Sequence, residues 1–367
     1  MSARSGVDEL GDDLRDVRSL VADRNVVYAR ALPLIEALLT GPDADPDIVA
    51  RLVHAWRERT FRSFYERPLL LLASLREAAS NSPTHPLGTS FAGTHPEPAA
   101  VTREALVAAF APDQTSTWSN IGLRKIQTND VSRALAWRWP VRAIGDRPIV
   151  LVDVGCAAGL NLVADALEPP WKDQDGRALP IPRRPKIAER IGFDADPIDA
   201  RHVDESSWLR ACLWPGDHAR LDRLDEAVDA MVSAWLRPDA PRLIRALAHE
   251  VPARLDAITR RAPEGACVLV FQSFLREYLD DEEARTYSDG LRHWIAAAPP
   301  GRAMWTELEL AARQGTHPAE LVAHVRADEG PLELRIARCS YHPIDVDVDR
   351  EAFATLESAL RPYAPVA

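Results

Sequence analysis

The sequence predicts an α/β protein in which a mainly parallel sheet, with helices on both faces, follows an all-helical N-terminal region. Two observations lead to this prediction. Apolar residues recur at helical spacing between residues 7 and 139, and strand-like runs are absent there. From Pro148 onward, short β-branched apolar runs alternate with helical segments. We therefore expect a helical cap or lid over residues 1–145 and a sheet domain over residues 146–367.

The helical region contains one clear interruption. Residues 81–98 are rich in Pro, Gly, His and Ser, and this composition predicts a loop. A short helix is expected near Val101–Phe110, and another is expected to begin close to Asn129.

Buried strands and helices are then expected to alternate. The strand candidates are short apolar runs, namely Ile149–Val154, Ile191–Asp194, Cys267–Phe271, Met304–Leu308 and Leu332–Ala337. Helical patterns begin at Leu160 and cover Asp222–Leu236 and Pro241–Arg261. Such alternation is typical of a doubly wound sheet.

Composition and charge narrow the function classes. Apolar residues make up 46% and charged residues 27% of the chain, which predicts a packed core. The formal net charge is −11, which disfavours binding to nucleic-acid phosphates. The nearest basic cluster, residues 183–186, is short and lies in a Pro-rich stretch. We expect a small-molecule substrate and neither a nucleic-acid nor a membrane partner, and homo-oligomerisation is left open.

The cysteines and the N-terminus indicate a cytoplasmic protein. Cys156, Cys212, Cys267 and Cys339 show no CxxC spacing, so neither disulfides nor a zinc site is expected. No targeting signal and no segment of membrane-spanning length is recognised.

The loop after the first buried strand carries the main functional signal. It comprises residues 153–161, Asp-Val-Gly-Cys-Ala-Ala-Gly-Leu-Asn. Gly155 allows a tight turn, Gly159 allows the next helix to pack closely, and small residues between them let a ligand approach the backbone. An ordinary turn between a strand and a helix, with no ligand, remains the alternative.

This loop resembles the acidic-x-Gly-x-Gly-x-Gly loop of class I S-adenosylmethionine-dependent methyltransferases, with Ala157 at the middle glycine. The resemblance implies a Rossmann-like fold and S-adenosylmethionine as cofactor or substrate, with no metal. It implies a cofactor site made by Asp153, Gly155, Cys156, Ala157, Gly159 and Asn161. In that family an acid at the end of the second strand binds the ribose, which here implies Asp194 or Asp196. Residues 168–189 then form a Pro-rich insertion.

A wider resemblance covers residues 126–273. The segments 127–130, 155–161, 194–199 and 208–215 occur in the same order in a bacterial family catalogued as a domain of unknown function with a methyltransferase-like fold. The chain departs from that family at Asp130, where Glu is common, and in lacking an aromatic pair after the loop helix. The chain also looks like the azetidine-2-carboxylate synthases of nonribosomal-peptide pathways.

Further candidate site residues are polar or aromatic. Gln127, Thr128 and Asn129 carry amide and hydroxyl groups suited to the methionine end of the ligand, and Asn129 could hold an attacking amine. An N-cap made by Thr128 or Asn129 is the structural alternative. Trp171 and Trp208 could face the sulfonium through a cation–π contact, although core packing is the better expectation for any one tryptophan. Ser273 completes the candidate catalytic set of Asn129, Trp171 and Ser273.

Three functions remain open at this stage. In the first, the α-amine of S-adenosylmethionine attacks its own Cγ, which gives azetidine-2-carboxylate and 5′-methylthioadenosine. The second is methyl transfer to a small-molecule acceptor, and the third is cofactor binding without catalysis. The resemblance to the azetidine synthases favours the first.

Overall fold

The computed structural model describes residues 4–5, 7, 9–93, 95–127, 130–237, 239–311 and 315–360. Its strands are β1 (Arg4–Ser5), β2 (Thr60–Phe61), β3 (Ile149–Val154), β4 (Lys172–Asp173), β5 (Ile187–Asp194), β6 (Arg242–Arg245), β7 (Cys267–Ser273), β8 (Ala303–Leu310), β9 (Ala319–Ala327), β10 (Gly330–Cys339) and β11 (Asp345–Val348).

The α-helices are α1 (Leu10–Val21), α2 (Val26–Leu39), α3 (Pro46–Trp56), α4 (Glu66–Asn81), α5 (Arg103–Ala109), α6 (Thr115–Leu123), α7 (Leu135–Arg138), α8 (Val141–Ile144), α9 (Val203–Ala211), α10 (His218–Trp235), α11 (Pro252–Arg261), α12 (Asp281–Ala297) and α13 (Arg350–Leu360). Short 3-10 helices occupy Val131–Ala134 and Leu160–Ala166, among others. No helix in the described ranges is long and apolar enough to cross a membrane.

The chain forms two compact units. The first comprises Met1–Thr128 and His202–Asp222, and the second comprises Asn129–Arg201 and Arg223–Ala367. The division therefore places residues 129–145 with the sheet and residues 202–222 with the N-terminal helices, whereas the sequence suggested a single boundary after residue 145.

The first unit is mainly helical in its described part. Asn25 caps α2, since its side-chain oxygen accepts a hydrogen bond from the amide of Tyr28 at 3.0 Å. Asp45 caps α3 in the same way, with Pro46 at the first helical position. Apolar side chains of α1 to α4 share one buried cluster. Arg67 and Asp13 are both fully buried and form an ion pair at 2.7 Å, which leaves neither charge uncompensated in this core.

The second unit contains a nine-stranded sheet in the order β4-β11-β10-β9-β8-β7-β3-β5-β6. The pairs from β6 through β5, β3 and β7 to β8 are all parallel. From β8 through β9 and β10 to β11 the pairs are antiparallel. An α/β architecture with a mixed, mostly parallel sheet is thus confirmed.

The central strand β3 is buried along its whole length. Val150, Val152 and Val154 pack in one cluster with residues of α11 and α12. On the opposite face, the ring of Trp137 in α7 lies 6.3 Å from that of Phe271 in β7. Because both faces are covered, β3 can offer a ligand little more than its carboxyl end.

Several strand predictions are confirmed, and one helix prediction is wrong. The strand candidates correspond to β3, β5, β7, β8 and β10. The helix predicted over Pro241–Arg261 is wrong in its first half, because residues 242–245 form β6 and pair with β5. The helix there begins at Pro252, a residue favoured at the first turn.

Two loop regions contain more structure than their composition indicates. Residues Gly88–Ala92, within the predicted loop 81–98, form a turn of π-helix. The insertion of residues 168–189 contains β4, which pairs with β11 at the sheet edge opposite β6. The insertion therefore supplies an edge strand of the sheet.

Candidate functional site

The order of the strands reverses at β3. After β3 the chain adds β5 and β6 on one side, then returns to add β7 and β8 on the other. In open α/β sheets such a reversal leaves a crevice outside the carboxyl ends of the two diverging strands, and ligands bind there. By this rule the crevice is expected at the ends of β3 and β7, beside the loop of residues 153–161.

The start of this loop is held by β5. The amides of Gly155 and Cys156 donate hydrogen bonds to the carbonyl oxygen of Phe193, at 2.8 and 3.2 Å. Gly155 is exposed and has a φ of +78°, a left-handed conformation that side chains other than glycine disfavour. A Cβ at this position would lie 3.0 Å from Cδ1 of Leu275.

Ala157 adopts a backbone conformation that usually requires glycine. Its φ is +47°, and it stands where the methyltransferase-like motif has its middle glycine. The Asp194 carboxylate stabilises this conformation, because its Oδ2 accepts a hydrogen bond from the amide of Ala157 at 2.8 Å. The Ala157 carbonyl in turn accepts a hydrogen bond from the amide of Ile198 at 3.1 Å. The acid predicted to bind a ribose therefore also holds the loop.

Asp153 lies at the end of β3 and is only 2% exposed. Its Oδ2 is buried without a hydrogen-bond partner. Burial, with a smaller contribution from the charge of Asp194, raises the pKa of the Asp153 carboxyl well above its usual range. A buried oxygen without a partner costs free energy, so a cationic or hydrogen-bonding ligand at this position would be stabilised.

A second strained turn follows β7. Phe274 is buried and has a φ of +52°, and its amide donates a hydrogen bond to the carbonyl of Leu308 at 2.8 Å. Ser273, the candidate catalytic residue before it, is half-buried and pairs with Leu308 in the sheet. A bulky residue in the left-handed region is uncommon, and such strain is concentrated at functional sites.

The Glu309 side chain of β8 accepts hydrogen bonds from the residues of this turn. Its Oε1 accepts hydrogen bonds from the side-chain amide of Gln272 at 2.7 Å and from the backbone amide of Leu275 at 3.0 Å. The hydroxyl of Tyr287 donates to Gln272 Oε1 at 2.6 Å. Burial raises the pKa of Glu309 to about 7. At the end of its strand Glu309 could be expected to face the site, but no sequence motif ties it to the loop after β3.

Gly159 and Gly192 allow the loop to pack closely. A Cβ at Gly159 would lie 2.8 Å from Cδ2 of Leu243 and 2.9 Å from Cε of Met231. A Cβ at Gly192 would lie 2.6 Å from Sγ of Cys156. Cys156 is buried, which raises the pKa of its thiol well above the usual value. The Cys156 side chain therefore packs against Gly192, and its predicted cofactor role stays a prediction.

We expect Gly192→Ala to destabilise the protein by about 1–3 kcal/mol, because the added methyl group overpacks the contacts with Sγ of Cys156 and Cδ2 of Leu243. The double variant Gly192→Ala/Cys156→Ala should recover part of this loss, since removing Sγ makes room for the methyl group. Urea-unfolding midpoints of the parent, both single variants and the double variant test this coupling. Strictly additive effects would show that the two positions do not compete for the same space.

Several predicted site residues belong to the first unit or fall outside the described residues. Trp208 is buried, and its indole nitrogen donates a hydrogen bond to the carbonyl of Lys125 at 2.8 Å. Gln127 is half-buried, and its backbone hydrogen-bonds to the Cys212 thiol. Both residues lie in the first unit, whereas the loop lies in the second. Thr128 and Asn129 lie outside the described residues. The cofactor and catalytic roles assigned to these residues stay predictions.

The remaining candidates lie in the second unit. Trp171 is buried and its indole nitrogen donates to the carbonyl of Ser132 at 2.8 Å, which fits core packing of the insertion. The backbone carbonyl of Asn161 accepts a hydrogen bond from the indole nitrogen of Trp137 at 2.8 Å. The side-chain oxygen of Asn161 is buried without a hydrogen-bond partner. Asp196 is half-exposed and forms an ion pair with Arg245 at 2.6 Å.

In the described part of the chain, no group of three or more His, Cys, Asp or Glu side chains could hold a metal ion. The end of β3 offers backbone amides, a buried acid and small residues. These groups suit an organic ligand with a cationic or hydroxyl-bearing part.

Comparison with known proteins identifies a family and no closer relative. No curated protein and no solved structure matches the chain. A family model described as "Uncharacterized protein conserved in bacteria (DUF2332)" matches residues 25–347. The match covers most of both compact units. The chain therefore belongs to this bacterial DUF2332 family.

Proposed function

We propose that the protein binds S-adenosylmethionine in the crevice between β3 and β7 and catalyses its intramolecular alkylation. In this reaction the α-amine attacks Cγ, which gives azetidine-2-carboxylate and 5′-methylthioadenosine. The strand order β6-β5-β3-β7-β8 supports a Rossmann-like methyltransferase-type fold, because it matches the 3-2-1-4-5 order of that class. The choice of ring closure over methyl transfer rests on the resemblance to azetidine-2-carboxylate synthases.

One observation supports the location of the ligand most strongly. Within the described ranges, the non-glycine residues with positive φ are Ala157 and Phe274. They follow β3 and β7, the adjacent strands at which the chain reverses. Left-handed backbone at a non-glycine residue costs about 1–2 kcal/mol. Strain of this kind at both sides of one crevice supports a functional site there.

The residues around the crevice fit such a ligand. The buried Asp153 carboxyl has an oxygen without a partner, and a sulfonium or ammonium cation nearby would favour its ionised form. Asp194 accepts one hydrogen bond at each carboxylate oxygen, from the amides of Ala157 and Asp196. Each oxygen retains capacity for a second bond, so a ribose diol can still be accepted there.

The chain's own contribution to the reaction would be binding and alignment. A sulfonium leaves as a neutral sulfide and needs no acid, so positioning and removal of water can supply most of the rate. The proposal includes a small-molecule substrate, no metal and a cytoplasmic location. The cytoplasmic location is supported by the scattered cysteines, which lack CxxC spacing.

Incubation of the purified protein with S-adenosylmethionine alone tests the proposal. We expect 5′-methylthioadenosine and an amino acid with the mass of azetidine-2-carboxylate. Gly155→Val should abolish product and calorimetric binding, because a Cβ there would lie 3.0 Å from Cδ1 of Leu275 and the φ of +78° disfavours valine, so the loop would have to shift. S-adenosylhomocysteine formed only with an added acceptor would assign methyl transfer instead. Binding without any product would indicate a non-catalytic protein, and absence of binding would contradict the whole proposal.

A further inference from the structure

A buried arginine with unsatisfied donors lies in the second unit, outside the residues considered so far. Arg138 is the last residue of α7 and is only 2% exposed. Its Nε and Nη1 atoms are buried, and neither donates a hydrogen bond. The ring of Trp137, whose centroid lies 5.6 Å from Cζ of Arg138, offers a π face but no charge. The guanidinium therefore has two buried donors that no described residue satisfies.

A second buried arginine near Arg138 uses the neighbouring carboxylate. Arg190 of β5 is 7% exposed, and its Nη1 and Nη2 donate to the two carboxylate oxygens of Asp165 at 2.9 and 2.8 Å. Its Nη1 also donates to the carbonyl of Leu162, which anchors Arg190 on the 3-10 helix Leu160–Ala166. The Nε of Arg190 is buried without a partner. Both oxygens of Asp165 are thus engaged by Arg190.

The charge of Arg138 is poorly compensated by its surroundings. Burial is the main cause that lowers the pKa of its guanidinium below the usual value. Asp165 attracts the guanidinium, Arg190 repels it, and Glu168 adds a smaller attraction from an exposed position. No carboxylate in the described ranges forms an ion pair with Arg138. Because arginine stays protonated in proteins, the buried charge cannot be removed by loss of a proton.

We propose that the protein binds a small oxyanion, such as inorganic phosphate, at Arg138 with Arg190 beside it. An oxyanion accepts hydrogen bonds and supplies negative charge, whereas water would satisfy the donors and leave the charge uncompensated. The planar guanidinium offers paired donors that match phosphate and carboxylate oxygens. Because Arg138 is so deeply buried, most of the ligand would be enclosed, which favours a free ion over the phosphate group of a larger molecule. The inference does not depend on the proposed function.

Thermal unfolding and calorimetry with added anions test the inference. We expect the unfolding midpoint of the parent protein to rise by about 3–6 °C at a phosphate concentration about tenfold above Kd, because a ligand that binds only the folded state stabilises it. Sodium chloride at the same ionic strength should give a smaller rise. Calorimetric titration with inorganic phosphate should show saturable binding at a single site.

Variants of Arg138 separate a specific site from a general salt effect. Arg138→Met removes the charge, so without phosphate it should unfold at or above the parent's midpoint, and it should respond to phosphate no more than to chloride. Arg138→Lys keeps the charge without the planar pair of donors and should bind phosphate at least about tenfold more weakly. This second variant keeps the test open if the first does not fold. The control is Arg285→Met, an exposed arginine on α12, which should respond like the parent.

Four results would overturn the inference. An equal response to phosphate in the parent and in Arg138→Met would mean that phosphate acts elsewhere or through the solvent. Failure of the parent to bind phosphate, sulfate or acetate in the calorimeter would leave water as the partner of the guanidinium. A response to chloride as large as that to phosphate would contradict a site for oxyanions. Tighter binding of glycerol 3-phosphate than of inorganic phosphate would replace the free ion by the phosphate group of a larger molecule.

Discussion

Replacing Gly159 with alanine should destabilise the protein by about 2–5 kcal/mol, whereas the same change at Gly176 should cost only about 1–2 kcal/mol. The two glycines have nearly the same φ, +70° and +74°. They differ in their surroundings. A Cβ at Gly159 would lie 2.8 Å from Leu243 and 2.9 Å from Met231, whereas at Gly176 nothing lies within 4 Å. The comparison separates overpacking from backbone strain.

Urea-unfolding midpoints of the parent and the two alanine variants provide the measurement. The difference between the variants reports the cost of pushing Leu243 and Met231 aside, since the strain of a left-handed alanine is common to both. Because the contacted atoms are the far ends of flexible side chains, the cost should stay within the range for overpacking. Equal midpoints for the two variants would show that Gly159 is needed for its φ alone.

The strands that could be predicted are those whose own residues form a recognisable apolar pattern. β3 is a β-branched apolar run that ends in glycine, and the structure confirms it as the central buried strand. β6 was mistaken for helix because Arg242–Arg245 has little strand character of its own, and it is a strand through pairing with β5. β9, Ala319–Ala327, was not predicted, since its Ala, Glu and Leu residues favour helix and only its pairing with β8 and β10 makes it a strand.

The sequence indicated more of the candidate site on the β3 side of the crevice than on the β7 side, where Ser273 was the one candidate. Asp153, Gly155 and Gly159 form a contiguous motif, so the sequence indicates the loop directly. The residues around β7 are brought together by tertiary contacts between distant segments, such as the Glu309 carboxylate with the amide of Leu275. Nothing in a phenylalanine side chain indicates the positive φ of Phe274. Such a conformation depends on surrounding contacts, which a single sequence does not reveal.

The second large effect concerns pH. Relative to the parent, Glu309→Gln should gain roughly 3 kcal/mol in free energy of unfolding between pH 4.5 and pH 8, because each unit of pKa shift corresponds to about 1.4 kcal/mol. Burial raises the pKa of Glu309 from 4.5 to about 7, against hydrogen bonds from Gln272 and Leu275 that favour the ionised form. Glutamine stays neutral throughout this range, so the variant lacks the cost of ionising a buried carboxyl.

The sign follows from the direction of the pKa shift. A carboxyl group with a raised folded-state pKa binds more protons in the folded than in the unfolded protein between about pH 4.5 and 7. Its stabilising contribution is therefore fully present below the unfolded pKa and is lost as the pH rises through about 7. The glutamine oxygen at the position of Oε1 can still accept from Gln272 and Leu275, so the turn after β7 should persist.

Urea midpoints of the parent and of Glu309→Gln, measured from pH 4.5 to pH 8, test this expectation. The difference between the two proteins should grow in favour of the variant as the pH rises. Glu329→Gln, an exposed residue near the turn between β9 and β10, is the matched control and should differ from the parent by a small, constant amount. A pH-independent difference for Glu309→Gln would mean that water or Arg276 compensates the buried charge. In that case the turn at Phe274 would be equally stable with Glu309 protonated or ionised.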